Sequence, residues 1–359
     1  MKILYIYDKM PGLYQKYLLN LLLLIKKQLN VKVMTYENNA LADYGVKRYG
    51  LLDYLQYSLF RLKISPYKSI DIKHMYNYDI IHLQHSFLWR KLQSLTKFQN
   101  HPKIIITLRG GDTYIKPWTS NSWRNFYKSS GYVSAFITMS EHQKKYLTQW
   151  GVAEEKIHVI PISFGEHSNA KPKYPNQDKL KLVSAFRMTW EKNIEGTVRF
   201  AKLLVEKGVD FQYDIYGDGN DLGQLYYLID KYDLHKHINV KGKVDNELLK
   251  IELPKYDFFV QLSLSEAFPT SVLEAQSVGL PCVVSDSGGL PEAVKEGKTA
   301  VICNYKDLDK MIDNCVTIWN DKEQYYQYSS NAIEFVNSNF TLEHEMDKLN
   351  KLYKFLYEN

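Results

Sequence analysis

Residues 262–292 read LSLSEAFPTSVLEAQSVGLPCVVSDSGGLPE, and this stretch decides the fold. It continues an apolar run, DFFVQLS (257–263), of the length and composition of a buried strand. A helical segment follows it, then a second apolar run, PCVVSD (281–286), and a Gly288-Gly289 loop. Strand, helix and strand in so short a span make a parallel β-α-β crossover. Two glutamates, Glu266 and Glu274, stand eight positions apart within it. Ser271 and Glu274 have the S-x-x-E spacing of a helix capping box, a structural reading of Glu274 that stands beside a binding one. Glu266 lies in the loop before the helix, where backbone N–H groups from Phe268 to Ser271 would face hydroxyl or phosphate oxygens. The Gly288-Gly289 loop permits an anion-binding curve of backbone.

The same unit repeats in both directions. KLVSAFR, FQYDIYG, INVKGKV, DFFVQLS, PCVVSD and TAVIC are six strand candidates in the second half. KILYIYD, VKVMTY, YDIIHLQH, PKIIITLRGG, SAFITMS and KIHVIP do the same in the first, with a loop and a long helix over 10–30, a helix at 141–150 and Gly151 as its C-cap. The expected fold is α/β: two Rossmann-like domains, residues 1–165 and 180–335, facing across a cleft. The polar, proline-containing stretch 166–179 is the linker candidate. Residues 336–359 are expected to form a C-terminal helix packing back toward the first domain, with Thr341 as its N-cap.

The 359-residue length agrees with two domains. Three cysteines, Cys282, Cys303 and Cys315, lack pairing or metal-ligand spacing and fit a reducing cytosol. The apolar run Tyr17–Ile25 is too short to span a bilayer, and no leader pattern is read around it. Charge is uneven. Residues 1–165 carry 23 Lys+Arg against 10 Asp+Glu, a balance of +13, and the remainder carries 23 against 30, a balance of −7. A basic first half fits an anionic partner or a merely solvated lysine-rich face. Residues 51–65 read as a membrane-surface helix or as a helix packed over the first sheet. No nucleic-acid-binding module is visible.

Each strand-end loop of the second half carries polar or glycine residues. Arg187 ends one strand and Lys192 follows five residues later; together they suit a diphosphate, and singly each is an ordinary surface charge. Gly217 and Gly219 in IYGDGND would let a ligand approach the backbone, or simply make a turn.

In register, Glu266, Phe268, Pro269, Glu274, Ala275, Gly279, Pro281, Val283, Val284, Gly288, Gly289 and Glu292 resemble the E-x7-E signature of the retaining family-four glycosyltransferases of GT-B fold. Arg187 and Lys192 are similar to the family's R-x4-K, and Gly217 and Gly219 to its G-x-G. The resemblance implies a nucleotide-diphosphate sugar, UDP-linked or GDP-linked, bound in the second domain. Arg187, Lys192 and Glu266 would be catalytic, the two cations neutralising the leaving diphosphate. Gly217, Val244, Ala267, Phe268, Pro269, Thr270 and Glu274 would bind the donor, Glu274 through the ribose. It implies no metal and no cofactor.

The first domain departs from the family pattern: only Gly12 follows the first strand, and LRGGD places Arg109 where a histidine is usual. Gly12, His85, Arg109, Gly110, Gly111 and Asp112 are its candidate site residues. The expected enzyme is a cytoplasmic retaining hexosyltransferase of bacterial polysaccharide biosynthesis at the inner face of the membrane. Its acceptor would be a lipid-linked or surface glycan held by the basic domain, and no nucleic acid is expected. A nucleotide-sugar 2-epimerase or hydrolase, and a non-catalytic partner subunit, are the rival readings.

Overall fold

The computed structural model describes residues 1–11, 16–37, 39–45, 51, 55, 58, 59, 62, 75–92, 95, 101–176 and 178–359. The chain forms two compact units, residues 1–160 with 346–359, and residues 161–345. Gly12 and most of the 51–65 segment lie outside the described residues.

The first unit is built on seven strands: β1 (Ile3–Tyr7), β2 (Val31–Thr35), β3 (Tyr44–Gly45), β4 (Ile80–Leu83), β5 (Lys103–Thr107), β6 (Ala135–Thr138) and β7 (Ile157–Val159). Their order is β3-β2-β1-β4-β5-β6-β7, with every pairing parallel. All five residues of β1 and all four of β4 are buried, as a sheet covered on both faces requires. The helix Leu342–Glu358 contributes its last turns to this unit. Met346, Leu349, Leu352, Tyr353 and Leu356 are buried at helical spacing. The Tyr353 hydroxyl shares hydrogen bonds with Tyr5 and with His82 Nδ1, while His82 Nε2 meets Thr107 Oγ1 at 2.7 Å. Burial, with the nearby Arg109 charge, pushes His82 down to about 3, so this imidazole is a neutral core strut.

The second unit carries β8 (Leu180–Ala185), β9 (Phe211–Tyr216), β10 (Ile238–Gly242), β11 (Phe258–Gln261), β12 (Cys282–Ser285) and β13 (Ala300–Cys303). The order is β10-β9-β8-β11-β12-β13, again entirely parallel. Both sheets therefore have the doubly wound order, and the winding reverses between β1 and β4 and between β8 and β11. Ligands of such sheets bind beyond the strands' carboxyl ends at those reversals.

The 166–179 stretch is laid along the second unit by its own hydrogen bonds. Ser168 Oγ donates to Ser277 O, Lys173 Nζ donates to Pro254 O at 2.9 Å, and Asn176 N–H donates to Asp257 Oδ1 at 2.7 Å. Beyond it, Thr341 Oγ1 accepts from the His344 N–H at 3.4 Å at the start of the last helix.

Candidate active site

The carboxyl-end loops of the second sheet are tied to one another through their backbones. The loop after β8 bonds to the loop after β9 (Met188 N–H to Asp218 O, 2.9 Å; Asp221 N–H to Met188 O, 3.0 Å). It also accepts from the loop after β11, Leu264 N–H reaching Glu191 O at 2.8 Å. The loop after β12 closes the series, Gly289 N–H donating to Glu266 O at 2.8 Å. The glycines are what make this possible. Gly217 and Gly219 have φ of 133° and 158°, and a Cβ on them would run into Phe186 O and Met188 O. A Cβ on Gly288, at φ 61°, would run into Glu266 O. From sequence, these glycines suggest close ligand approach and anion binding; the neighbour that demands them is the next loop's backbone. The Gly289 N–H is already spent inside the protein.

Lys192 and Glu266, from loops on either side of the reversal between β8 and β11, form a salt bridge. Their side chains are only 15% and 13% exposed. Arg187 is not drawn into that pair: its side chain is 71% exposed and its Nη2 reaches Glu191 Oε1 at 3.3 Å. Asn193, left-handed at φ 56°, turns the loop into the helix Ile194–Glu206, caps it by accepting from Gly196 N–H, and donates to Leu262 O at 2.9 Å.

Gln261, the last residue of β11, was not singled out by sequence reasoning. Its buried amide donates to Glu266 Oε2 at 3.0 Å and accepts from Ser271 Oγ at 2.8 Å. A polar residue closing an apolar strand was the signal available. This contact overturns the capping-box reading of Ser271 and Glu274. The helix spans Thr270–Ser277 with Pro269 at its N-cap, so Ser271 lies inside the first turn and its hydroxyl is turned to β11. The first-turn N–H groups of Thr270 and Ser271 are not used by the helix itself. Ala267, Phe268 and Pro269 are buried, and the Phe268 ring packs on Phe340 (centroids 5.3 Å apart).

Glu274 sits one turn into the same helix. It is buried, and Asn246 Nδ2 donates to its Oε1 at 3.2 Å. Burial pushes its carboxyl up to about 7, against the opposing pull of the Lys250 charge and the Asn246 hydrogen bond. Val244 is half-buried two residues before Asn246, next to Asp245, which caps the helix Asn246–Glu252 through Leu248 N–H.

In the first unit, Asp112 is buried and committed. It accepts from Arg109 N–H (3.1 Å), Gly110 N–H (3.0 Å), Thr113 Oγ1 (3.3 Å) and Ser86 Oγ. Burial raises its pKa and those hydrogen bonds oppose the rise. Its role is to shape the loop that carries Gly110, at φ 113°, and Gly111, whose Cβ position is open. Arg109 is steadied by Gln84, to whose carbonyl oxygen and Oε1 it donates at 3.4 and 3.0 Å. His85 Nδ1 accepts from Asp8 N–H at 3.3 Å, so the proton of the neutral ring is on Nε2. Burial and the Arg109 charge lower its pKa, which keeps it neutral. Gln84, His85 and Arg109 thus cluster at the strand ends beside the reversal between β1 and β4.

Two family models match the chain: "Glycosyltransferase Family 4" over residues 15–163 and "Glycosyl transferases group 1" over residues 166–335. The chain belongs to the group 1 glycosyltransferases. Its fold is GT-B, and its activity is glycosyl transfer. It is 25% identical over 337 residues (89% of the chain, 84% of the relative) to N-acetyl-alpha-D-glucosaminyl L-malate synthase of Bacillus anthracis. It is 31% identical over 160 residues to the UDP-Gal:alpha-D-GlcNAc-diphosphoundecaprenol alpha-1,3-galactosyltransferase of Escherichia coli. That match spans 43% of the chain and 40% of the relative. Among solved structures, Anabaena Alr3699/HepE in complex with UDP and glucose superposes with a TM-score of 0.77 at 15% identity, covering 99% of each chain. Among the described residues no helix is long and apolar enough to cross a membrane.

Proposed function

We propose that this glycosyltransferase takes a hexose-type sugar from UDP and transfers it, with retention of anomeric configuration and without a metal, to a hydroxyl of a lipid-linked glycan. The observation that carries the donor half is the Lys192–Glu266 pair, seated at the reversal between β8 and β11 beside the first turn of helix Thr270–Ser277. As the glycosidic bond breaks, negative charge grows on the β-phosphate oxygen. Lys192, Arg187 and first-turn N–H groups stabilise it as fixed charge and dipoles. Glu266, held by Gln261, is oriented toward the sugar hydroxyls; Glu274 accepts from the ribose. The acceptor hydroxyl is the nucleophile, so no covalent enzyme intermediate forms. The UDP complex of the Anabaena neighbour and the UDP-Gal donor named for the Escherichia coli relative support UDP over GDP.

The acceptor half rests on the +13 balance of residues 1–165 and on the diphosphoundecaprenol-linked acceptor in that relative's name. A lipid-linked acceptor places the enzyme at the inner face of a bacterial membrane, in polysaccharide biosynthesis. The test is a panel of nucleotide sugars screened by thermal stabilisation, since a bound donor raises apparent stability by mass action. The best donor is then offered with lipid-linked glycan or with L-malate. Glycolipid product from a UDP-sugar is expected. Transfer to malate alone would overturn the acceptor half, and free UDP with no glycoside would point to a hydrolase.

A further inference from the structure

We propose that the exposed aromatic surface formed by Phe87, Ile115 and Trp118 in the first unit is an interfacial anchor for an anionic lipid bilayer. The inference rests on the lipid-linked-acceptor reading and assigns it a surface.

Phe87 follows β4 and the Ile115–Trp118 turn follows β5, two strands that pair directly. The surface therefore lies at the same sheet edge as His85 and Arg109. Trp118 is 67% exposed and Phe87 54%, and Ile115 is exposed between them in sequence. Rings of this size in water leave apolar area that a bilayer interface would cover. The rings are also held in place. Trp118 stands edge-on to Trp150 at 5.1 Å, Phe87 edge-on to Trp123 at 5.4 Å, and Arg124 Nη1 grips Pro117 O at 2.6 Å beneath the turn. Rigid exposed aromatics lose little entropy on insertion.

Charge selects the occupant. Residues 80–140 contain eight Lys and Arg and one acid. That acid is Asp112, which is buried and bound by its own loop. Among the described residues, two of these cations stand beside the rings. Lys116 Nζ lies 5.6 Å from the Phe87 ring centroid and exposed Arg90 stands 5.4 Å from the Trp89 ring. Tryptophan flanked by Lys and Arg is the composition of a membrane–water interface, where the ring sits at headgroup depth and cations meet anionic lipids. A purely apolar partner would leave these cations unpaired, and a neutral glycan would use the rings but not the charge. With this edge at the headgroups, the diphosphate of a lipid-linked acceptor would emerge at the level of Arg109.

The experiment is vesicle flotation of the full chain, using phosphatidylcholine vesicles with and without a third of phosphatidylglycerol. Binding to the anionic vesicles alone is expected, weakening with salt over the Debye length of about 10 Å at 0.1 M. Trp118→Ser should lower partitioning about tenfold by removing the inserted ring. Lys116→Glu, a reversal of two charges at roughly 1 kcal/mol each, should lower it about thirtyfold. Denaturant melts of the first unit should be unchanged in both, showing that they fold. If both variants float like the wild type, the anchor is wrong while the lipid-linked acceptor stands. The anchor is equally wrong if binding is lost only on replacing the exposed Leu51 and Leu62 by Ser. If the wild type binds no vesicle, or if Trp118 fluorescence answers oligosaccharide and not lipid, the anchor is overturned. Transfer to the acceptor in detergent then judges the parent reading separately.

Discussion

The two units share a strand order but hold their strand-end loops by different means. In the second unit, four loops are bonded backbone to backbone, and glycines at 217, 219 and 288 are the condition for it. In the first, one buried side chain, Asp112, gathers two backbone N–H groups and two hydroxyls to shape the loop after β5. Backbone bonding spreads the stability of a loop set over many groups and frees the side chains to face a ligand. A single buried carboxylate concentrates it. The family-like motifs crowd into the unit of the first kind, where Lys192 and Glu266 are carried on loops shaped by backbone bonds and Glu274 on the helix that follows.

That contrast is broken most severely through Lys192. Lys192→Ala should lower kcat about a thousandfold, near 4 kcal/mol of transition-state stabilisation, by the scale of removing a preorganised charge. The thermal midpoint should barely move, because the loop is held by backbone. Product formation and melting, measured on one preparation, check both parts. A large loss of stability would mean that the Lys192–Glu266 pair is structural.

Asp112→Ala predicts the opposite pattern. It leaves the N–H groups of Arg109 and Gly110 without their acceptor, at about 1–3 kcal/mol for each buried donor. The first unit should lose about 3 kcal/mol in denaturant melts, while UDP-induced stabilisation of the second unit persists. Equal loss in both units would show that they unfold as one and remove the contrast.

Glu274 separates binding from stability by sign. Its folded-state pKa, about 7, stands above the ordinary 4.5. A group shifted upward contributes stability that is fully present below pH 4.5 and lost as pH rises through 7. Above pH 7 the native protein carries a buried charge at a cost of about 3 kcal/mol, from the size of the shift. Glu274→Gln should therefore melt several degrees higher than the wild type at pH 8. The difference should shrink between pH 7 and 4.5 and vanish below. The same variant should lose donor-induced stabilisation at pH 8, because the ribose hydroxyls lose their anionic acceptor. Wild-type donor affinity should likewise fall as pH drops through 7. A variant less stable than wild type at pH 8 would show that the carboxylate is wanted by the fold.

The alternation of strands and helices was legible because parallel strands buried on both faces read as plain apolar runs. Arg187, Lys192 and Glu266 were legible as residue types at spaced loop positions, and Glu274 by its eight-residue spacing from Glu266. The two-residue strand Tyr44–Gly45 was too short to carry a pattern. The reason for the glycines was hidden, since a glycine shows in sequence but the carbonyl that forbids a Cβ comes from a loop tens of residues away. The S-x-x-E spacing misled for a related reason. The helix begins one residue before Ser271, and a partner in β11 claims its hydroxyl.

Gln261 gives the smallest expected effect and the finest test of the comparison. It is a place where the second unit uses a side chain to hold a functional group, tying Glu266 to the first turn of helix Thr270–Ser277. Gln261→Met keeps the buried volume and removes the hydrogen bonds to Glu266 and Ser271, with the longer one to Ser263. If loop shape belongs to the backbone, stability should fall by only about 1–2 kcal/mol, the scale of buried hydrogen bonds lost. The Glu266 carboxylate would still be paired with Lys192 but freer to rotate. That mobility should lower kcat about tenfold, with donor KM little changed, because orientation matters most in the transition state. Gln261→Glu sharpens the point: its carboxylate beside Glu266 competes for Lys192 and should lower kcat further, with the deficit relieved as pH falls. An unchanged kcat in both variants would make Gln261 a packing residue. Glu266 would then owe its orientation to Lys192 alone.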